Sequence, residues 1–509
     1  MDCCKNLKNL VNNITDCQII GTLDIDITGM THDSRKCSHG YIFFAIHGIH
    51  YNGHAYINSA IDNGALVIIY SEPLSQYLDG VTYIQTASVY ESISRVSSIY
   101  YNNPSRVLKV IGVTGTDGKT STCDYIYQLL ILANRNTSLL SSVWQDNGTG
   151  KVRNLKHMTT PDAIEVHKFL HESVNNGCEF AVVEASSHGL SNDLKRLADV
   201  SFTIGICTNI TSDHLDFHKT RSSYIDAKMN LFRQLRKNTG IAVIPHDADW
   251  VNSVKKIINN NSKIYTWCIL EKGKNVVNEA TYSISIDEKD TSGISISLQS
   301  DRKQLKIKTP FPFPVQISNF APALITLVLL SDNTSILHSR IFEKIKPIPG
   351  RFNIMERERA AMIILDFAHT ENAFFTLFTN VRCMYPHKNF IAVFGSAGCR
   401  DTFKREHLGR IASNFCNTIV LTDDDPREED SLMIIHDIQS GIPENFPGTI
   451  VIQPDRKKAI KTALQIAKEE DLIFCLGKGL ETSIEKNGIL FPWDEEQTIL
   501  ELCKTQGVT

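Results

Sequence analysis

The sequence predicts an α/β protein of three domains, with a central phosphate-loop mononucleotide-binding parallel sheet and a C-terminal Rossmann-like α/β domain. Three observations carry that expectation. A chain of 509 residues is longer than one hydrophobic core organises, at roughly 100 to 200 residues per domain. Apolar runs of strand length alternate with helical periodicity along most of it. Near residue 115 a buried strand runs into a glycine turn and then into a helix, the opening of a nucleotide-binding α/β domain.

Taken in order, the runs Ile42 to Ile46, Ala65 to Tyr70 and Val81 to Ile84, with a helix-like Ala55 to Asn63, predict a small α/β domain. A helical stretch from Ser88 to Tyr101 meets Asn102-Asn103-Pro104-Ser105, whose turn and breaker residues mark a boundary. Val107 to Val113 then reads as a strand and Ser121 to Ala133 as a helix, with further strands at Glu179 to Glu184 and Phe202 to Thr208. Lys272 to Ile307, rich in Ser, Thr and alternating Ile, is expected to add antiparallel strands to the same sheet. A third unit starts near Ile345. Its strands at Met362 to Leu365, Phe390 to Phe394, Thr418 to Leu421 and Asp471 to Leu476 alternate with helices at Asn372 to Val381, Arg405 to Phe415 and Lys457 to Lys468. The expected domains are 1–104, 105–344 and 345–509.

Composition narrows the class. Charged residues make up 21% and hydrophobic ones 42%, values of a folded globular protein. A net charge of -4 offers no basic face, so nucleic acid is not an expected partner. Thirteen cysteines, an odd number without even spacing and with Cys3 beside Cys4, argue for free thiols in a reducing cytoplasm. No stretch approaches the roughly 20 apolar residues that span a bilayer, and Met1 to Thr15 has no signal-peptide core, so no membrane is expected. The expected state is a monomer acting on small molecules.

The segment Ile111-Gly112-Val113-Thr114-Gly115-Thr116-Asp117-Gly118-Lys119-Thr120-Ser121 carries the chemistry. Gly115 and Gly118 let backbone N–H groups close around phosphate oxygens, and the helix N-terminus adds partial positive charge. Lys119 would reach the β- and γ-phosphates, and the Thr120 hydroxyl could bind Mg²⁺. The common phosphate-loop pattern asks for a glycine where this chain has Val113.

The shortened loop Gly115 to Ser121 resembles that of the Mur ligases and the related folylpolyglutamate synthases. Further segments match in order: Asp33-Ser34-Arg35, Thr159-Thr160-Pro161, Glu184 to Leu190, Thr208-Asn209, Asp213 to Asp216, Ala227-Lys228, Gly350-Arg351-Phe352, Asp366 to Thr370, Gly395 to Asp401, Asp424-Asp425-Pro426-Arg427 and Gly477 to Glu481. The last two narrow the resemblance to the tripeptide-synthetase branch, the MurE type. It implies that ATP phosphorylates UDP-N-acetylmuramoyl-L-alanyl-D-glutamate to an acyl phosphate, which the amine of a diamino acid attacks. Phosphorylation supplies the leaving group that a carboxylate lacks, and the site's work is positioning and charge neutralisation.

By the same resemblance, domain 1–104 holds the UDP-sugar, 105–344 the ATP and 345–509 the amino acid. Glu184, His214 and Lys228 are the family's metal positions beside Thr120, with Lys228 carbamylated so that a cation becomes a carboxylate-like ligand for Mg²⁺. Together with Lys119, they are the candidate catalytic residues. Gly115, Thr116, Asp117, Gly118, Lys119, Thr120, Ser121, Asn319, Arg351, Asp366 and His369 match ATP contacts; the family's first asparagine before Asn319 is replaced by Gln316. Ser34, Thr159, Thr160, Ser186 and Arg196 match positions around the UDP-muramoyl peptide. Arg400, Asp424, Asp425, Pro426, Arg427, Gly477 and Glu481 match the amino-acid pocket, where arginine forks suit carboxylates and Glu481 suits a distal ammonium. Asp425 replaces the asparagine and Leu480 the histidine of the family motifs. Asp425 favours L-lysine or L-ornithine and Arg427 favours meso-diaminopimelate, so the resemblance leaves the amino acid open. The competing readings are a folylpolyglutamate synthase-like ligase, a ligase adding D-alanyl-D-alanine, and a non-catalytic nucleotide-binding module. The Asp33-Ser34-Arg35 domain argues against the first, the Asp425 and Leu480 motifs against the second, and the retained carboxylate clamp against the third.

Overall fold

The computed structural model describes residues 5–12, 14, 16–48, 51–154, 158–211, 213–258, 262–270, 280–290, 293–301, 304–311, 313–331, 340–355 and 360–505. Cys3, Cys4 and the stretch 272–279 of the expected antiparallel region lie outside them. Three sheets organise the chain. The first runs in the order Gln18–Ile20, Thr82–Gln85, Ala65–Tyr70, Tyr41–Phe44, Gly29–Thr31, parallel except for its first strand.

In the central sheet the strand Lys109–Thr114 lies between Phe180–Glu184 and Phe202–Cys207, all three parallel. Beyond Phe180–Glu184 come Thr137–Leu140, Trp144–Asp146 and Val152–Arg153; beyond Phe202–Cys207 come Ile241–Pro245, Lys263–Leu270, Tyr282–Asp290, Gly293–Gln299 and Gln304–Thr309. The middle strands read as continuous apolar runs because helices cover both faces. One cover is the pair Lys119–Leu132 and Pro314–Leu330, whose Ile126, Leu130, Ile317, Phe320 and Leu324 share one core with Ile111, Val113 and Val182.

Two expectations need correction. Val107 is not in the strand: Asn103 has φ +50 and Pro104 opens a helical turn, Pro104–Val107, that leaves Val107 66% exposed. Tyr282–Asp290 joins Lys263–Leu270 parallel, and the antiparallel pairing starts only at Gly293–Gln299.

The third sheet runs Asn353–Met355, Met362–Asp366, Leu472–Leu476, Phe390–Phe394, Thr418–Leu421, Thr449–Ile452, parallel except for its first strand. Successive strands Met362–Asp366 and Phe390–Phe394 flank Leu472–Leu476, and the loops at the carboxyl ends of such parallel strands are where open α/β sheets bind ligands. A fully buried ion pair anchors this end: Arg456 donates to both oxygens of Glu495 and also to the carbonyls of Asp423 and Leu476, 3.1 and 2.7 Å away. No described helix is long and apolar enough to cross a membrane.

The helix Ala163–Asn175 buries His167 completely, with no hydrogen-bond partner for either ring nitrogen. Burial pushes its pKa from 6.5 down to about 3. The unfolded chain therefore binds a proton that the folded one refuses, and stability is lost as pH falls below 6.5 toward 3. Between pH 7 and pH 5 the loss from this group is about 2 kcal/mol. Replacing His167→Leu is expected to remove that share of the acid sensitivity, measured as a smaller pH-induced drop in denaturation midpoint; an equal drop in both proteins sinks the assignment.

Candidate active site

The strand Lys109–Thr114 delivers its chain into a turn that requires glycine twice. Gly118 has φ +80, and a Cβ there would stand 2.1 Å from Asn319 Oδ1; at Gly115 it would stand 1.9 Å from Thr208 Oγ1. Close backbone approach on this side is what a phosphate cradle needs. The turn is braced differently from expectation: the N–H groups of Thr116 and Asp117 donate to Asn209 Oδ1 at 3.2 and 2.9 Å, so those two are taken by the protein itself. The first N–H groups of the helix Lys119–Leu132 have no partners within the helix and are the donors suited to meet an anion here.

A cavity of about 520 Å³ opens over this turn. Thr116 to Ser121, Thr159, Glu184, Asp213, His214 and Asn319 line it from the central sheet, and Arg351, Asp366, His369 and Glu481 from the third. Glu184 is 1% exposed, and its two oxygens accept from the Thr120 hydroxyl at 3.0 Å and the Ser142 N–H at 2.8 Å. Arg351 donates to Thr120 Oγ1 at 3.3 Å and stacks over Phe367, 4.1 Å from its ring centre. Asp117 ties the two sheets together, accepting from Thr370 Oγ1 at 3.0 Å and Asn372 Nδ2 at 3.1 Å. Asp366 accepts from the N–H groups of Phe352 and Ala368, and burial still raises its pKa. Gln316 serves its own helix instead, accepting from the Phe313 N–H.

His214 sits at φ +54, with Nε2 3.4 Å from Asp213 Oδ2. Burial drives His214 down to about 3, leaving a neutral ring with a lone pair. Burial opposes the charge on Asp213, but His214, His369, Lys404 and Lys119 together hold it below the usual carboxylate range. Lys228, on the helix Arg221–Arg233, is 1% exposed and donates to Gly115 O at 2.7 Å. Burial first, then the charge of Lys119, lowers it to about 7.

Thr160, Ser186 and Arg196 come together beside Glu184. Thr160 Oγ1 donates to the Glu184 carbonyl at 2.9 Å and accepts from the Ser186 N–H at 3.0 Å, while Arg196 Nη1 donates to the Thr160 carbonyl at 2.8 Å. Ser34 does not join them or the cavity: it is buried in the first unit, where Asn63 Nδ2 donates to its carbonyl.

The remaining predicted residues lie in loops after Phe390–Phe394, Thr418–Leu421 and Leu472–Leu476, and of these only Glu481 reaches the cavity wall. Gly477, at φ +103, lets the chain pass Asp424, whose Oδ2 would stand 3.1 Å from a Cβ there. Lys478 Nζ, fully buried, contacts Asp425 Oδ1 at 2.8 Å, Glu481 Oε2 at 2.6 Å and Asp424 Oδ1 at 3.6 Å. Among the described residues these three carboxylates alone cluster closely enough to hold a metal ion, and the ammonium already stands against them. Glu481 is pushed up to about 7, because burial and the charges of Asp424 and Asp425 outweigh Lys478. Arg427, at φ +52, donates from Nε to Glu485 Oε2 at 3.1 Å and from Nη1 to the Gly398 carbonyl at 3.2 Å. The backbone N–H after Pro426 donates to the Glu485 carbonyl. Arg400 is 41% exposed, 4.0 Å from Asp216 Oδ2.

Sequence reasoning missed Ser142, Thr370, Asn372, Lys478 and Glu485. Lys478 stood in a matched motif, and Thr370 ended one; nothing in the pattern pointed to Glu485, which a hairpin of Ser483–Lys486 with Ile489–Pro492 brings to Arg427.

A phosphate loop in a central sheet, met across a cavity by an arginine and carboxylates of a second α/β sheet, suits the class of ATP-dependent ligases, and the relatives of the chain are of that class. The Mur ligase middle domain matches residues 113–327, the glutamate ligase domain of the Mur ligases 350–479, and the catalytic domain of the Mur ligase family 26–110. The UDP-N-acetylmuramyl-tripeptide synthetase of Borreliella afzelii (strain PKo) is 36% identical over 486 residues, 94% of each chain. The UDP-N-acetylmuramoyl-L-alanyl-D-glutamate--2,6-diaminopimelate ligase of Alkaliphilus oremlandii (strain OhILAs) is 32% identical over 99% of each. A solved structure of a ligase of the latter name superposes with TM-score 0.66 at 26% identity over the whole of both chains. MurF ligase from Thermotoga maritima, solved with ADP, shares the fold at TM-score 0.62 and 19% identity, over 94% of this chain and 97% of its own. The chain belongs to the Mur ligase family, in its UDP-N-acetylmuramyl-tripeptide synthetase (MurE) branch. It is an ATP-dependent ligase of peptidoglycan synthesis that extends a UDP-N-acetylmuramoyl peptide.

Proposed function

We propose that this ligase adds a diamino acid to UDP-N-acetylmuramoyl-L-alanyl-D-glutamate through an acyl phosphate, with 1–104 holding the UDP-sugar, 105–344 the ATP and 345–509 the amino acid. The observation that carries the reading is the single cavity shared by the phosphate loop, Arg351 and Glu481. A glutamate carboxylate oxygen attacks the γ-phosphorus and ADP leaves; the amine then attacks the acyl carbon, phosphate leaves, and the amine loses a proton. Lys119 and the first-turn N–H groups hold the phosphates, and Arg351 offers a fork to the transferred group. Thr160, Ser186 and Arg196 orient the peptide so that its carboxylate meets the phosphate.

The donor set fits Mg²⁺: Thr120 and Glu184 present a hydroxyl and a carboxylate oxygen 3.0 Å apart at the loop, and a carbamate on Lys228 would add another hard oxygen. When bound, the ion supplies charge neutralisation for the phosphates. His214, neutral and beside Asp213, would complete the set.

Phosphate release by the purified enzyme is expected to require ATP and both co-substrates, with a product heavier than the starting nucleotide by one diamino acid less water. Phosphate release indifferent to the nucleotide peptide, or none with any diamino acid, sinks the reading.

A further inference from the structure

The loops after the third sheet hold their cations unequally. The ammonium of Lys478 stands against three carboxylates, so Asp424, Asp425 and Glu481 leave an excess of negative charge around it. Arg427 is already matched, its Nε on Glu485 Oε2 at 3.1 Å, while its Nη1 is on a backbone carbonyl. The match is built in: the hairpin strand Ser483–Lys486 pairs with Arg427 through backbone bonds, and the Glu485 N–H also donates to Asp425 Oδ1 at 2.9 Å. Arg400 is the arginine of these loops that stands most open, with Asp216 Oδ2 4.0 Å away and its charge felt by His188. Lys404 belongs to the phosphate side, where its charge is felt by Asp213 and His369 as well as Asp424.

Resting on the ligase reading above, we infer that Glu485 selects the incoming amino acid: by holding Nε of Arg427 and countering its charge, it leaves one open arginine for one substrate carboxylate. The site thereby takes a diamino acid with a single carboxylate and a distal ammonium. A second carboxylate on the substrate could take the Nε side of Arg427 only by displacing Glu485, which would leave that side chain without its partner beside Asp425, and elsewhere on the guanidinium it would meet the Glu485 charge. Discrimination of this kind comes from a repulsive group held in place against the wrong ligand. The distal ammonium meets the opposite situation, since Glu481 faces the cavity from a cluster with carboxylates to spare. Glu485 occupies the Nε side of the fork and the Gly398 carbonyl takes Nη1, so a carboxylate cannot settle against that edge while Glu485 stays.

The test is ligation by the full-length enzyme with ATP and UDP-N-acetylmuramoyl-L-alanyl-D-glutamate, supplying L-lysine, L-ornithine or meso-diaminopimelate in turn. Wild type is expected to favour lysine or ornithine over diaminopimelate in kcat/KM by at least about tenfold. Glu485→Ala is expected to move that ratio toward diaminopimelate by about tenfold or more, chiefly through a lower KM for diaminopimelate. Glu485→Gln, which keeps the acceptor oxygen and removes the charge, should shift the ratio in the same direction by less, and it decides the matter if the alanine variant does not fold. A wild-type preference for diaminopimelate, or an unchanged ratio in a folded variant, overturns the role of Glu485 and leaves the ligase reading standing. No ligation with any of the three overturns the ligase reading itself.

Discussion

Replacing Lys228→Ala is expected to lower the ligation rate by about 10²- to 10³-fold, the range for removing a preorganised electrostatic group from an active site. The expectation follows from where the amine is placed. It is 1% exposed, 2.7 Å from the Gly115 carbonyl and beside the phosphate loop, and burial together with Lys119 brings it to about 7. An ammonium of ordinary basicity adds CO₂ poorly, because the nucleophile in carbamate formation is the neutral amine; lowering the pKa to about 7 raises the neutral fraction at neutral pH. As pH falls below 7 the neutral fraction shrinks, so carbamylation and activity should decline together in the acid direction. Chemical rescue separates the two roles of this side chain. Acetate or formate is expected to restore part of the activity of the alanine variant, since it returns a carboxylate to the position. Rescue by methylammonium and not by acetate would instead make Lys228 a cation in the working enzyme.

Much of this arrangement is legible in the sequence because local residue types dictate it. Phe390 to Phe394 reads as a strand because it is a short continuous apolar run between helical stretches, and all five residues are buried in a strand. Gly118 announces a left-handed turn, and its φ is +80. Where the reading fails, the deciding contact is distant in the chain. Val107 looked like strand because it is apolar, but the Asn103-Pro104 turn outranks that preference and sends it to solvent. The serine and isoleucine alternation before Ile307 reports which face is buried and says nothing about strand direction, so the parallel pairing of Tyr282–Asp290 was invisible. Asp425 was legible as an added charge but not as one already held by Lys478, and Arg427 was legible as a fork but not as one already paired through its Nε with Glu485. Both partners depend on loops and a hairpin register that no local pattern encodes.

Arg351→Ala is expected to reduce kcat by about 10²- to 10³-fold while leaving the KM for the amino acid within about twofold. The guanidinium comes from the turn before Asn353–Met355, in the third unit, yet its Nη2 stands 3.3 Å from Thr120 Oγ1 of the phosphate loop. The carboxylates of Asp366, Glu184, Glu481 and Asp117 all act on it, so with Lys119 it is a cation of an acidic cavity into which a nucleotide would bring more negative charge. Such a group is worth most where charge is redistributed between the γ-phosphate and the leaving ADP, and little on the far loops, where the proposed function puts the amino acid's own carboxylate. Arg351→Lys should recover only part of the loss, because an ammonium keeps the charge but cannot stack flat on Phe367 or offer two parallel donors. A kcat within about threefold of wild type in the alanine variant would mean that the third unit contributes no charge to phosphoryl transfer. A raised KM for ATP with kcat preserved would place Arg351 in ground-state nucleotide binding alone.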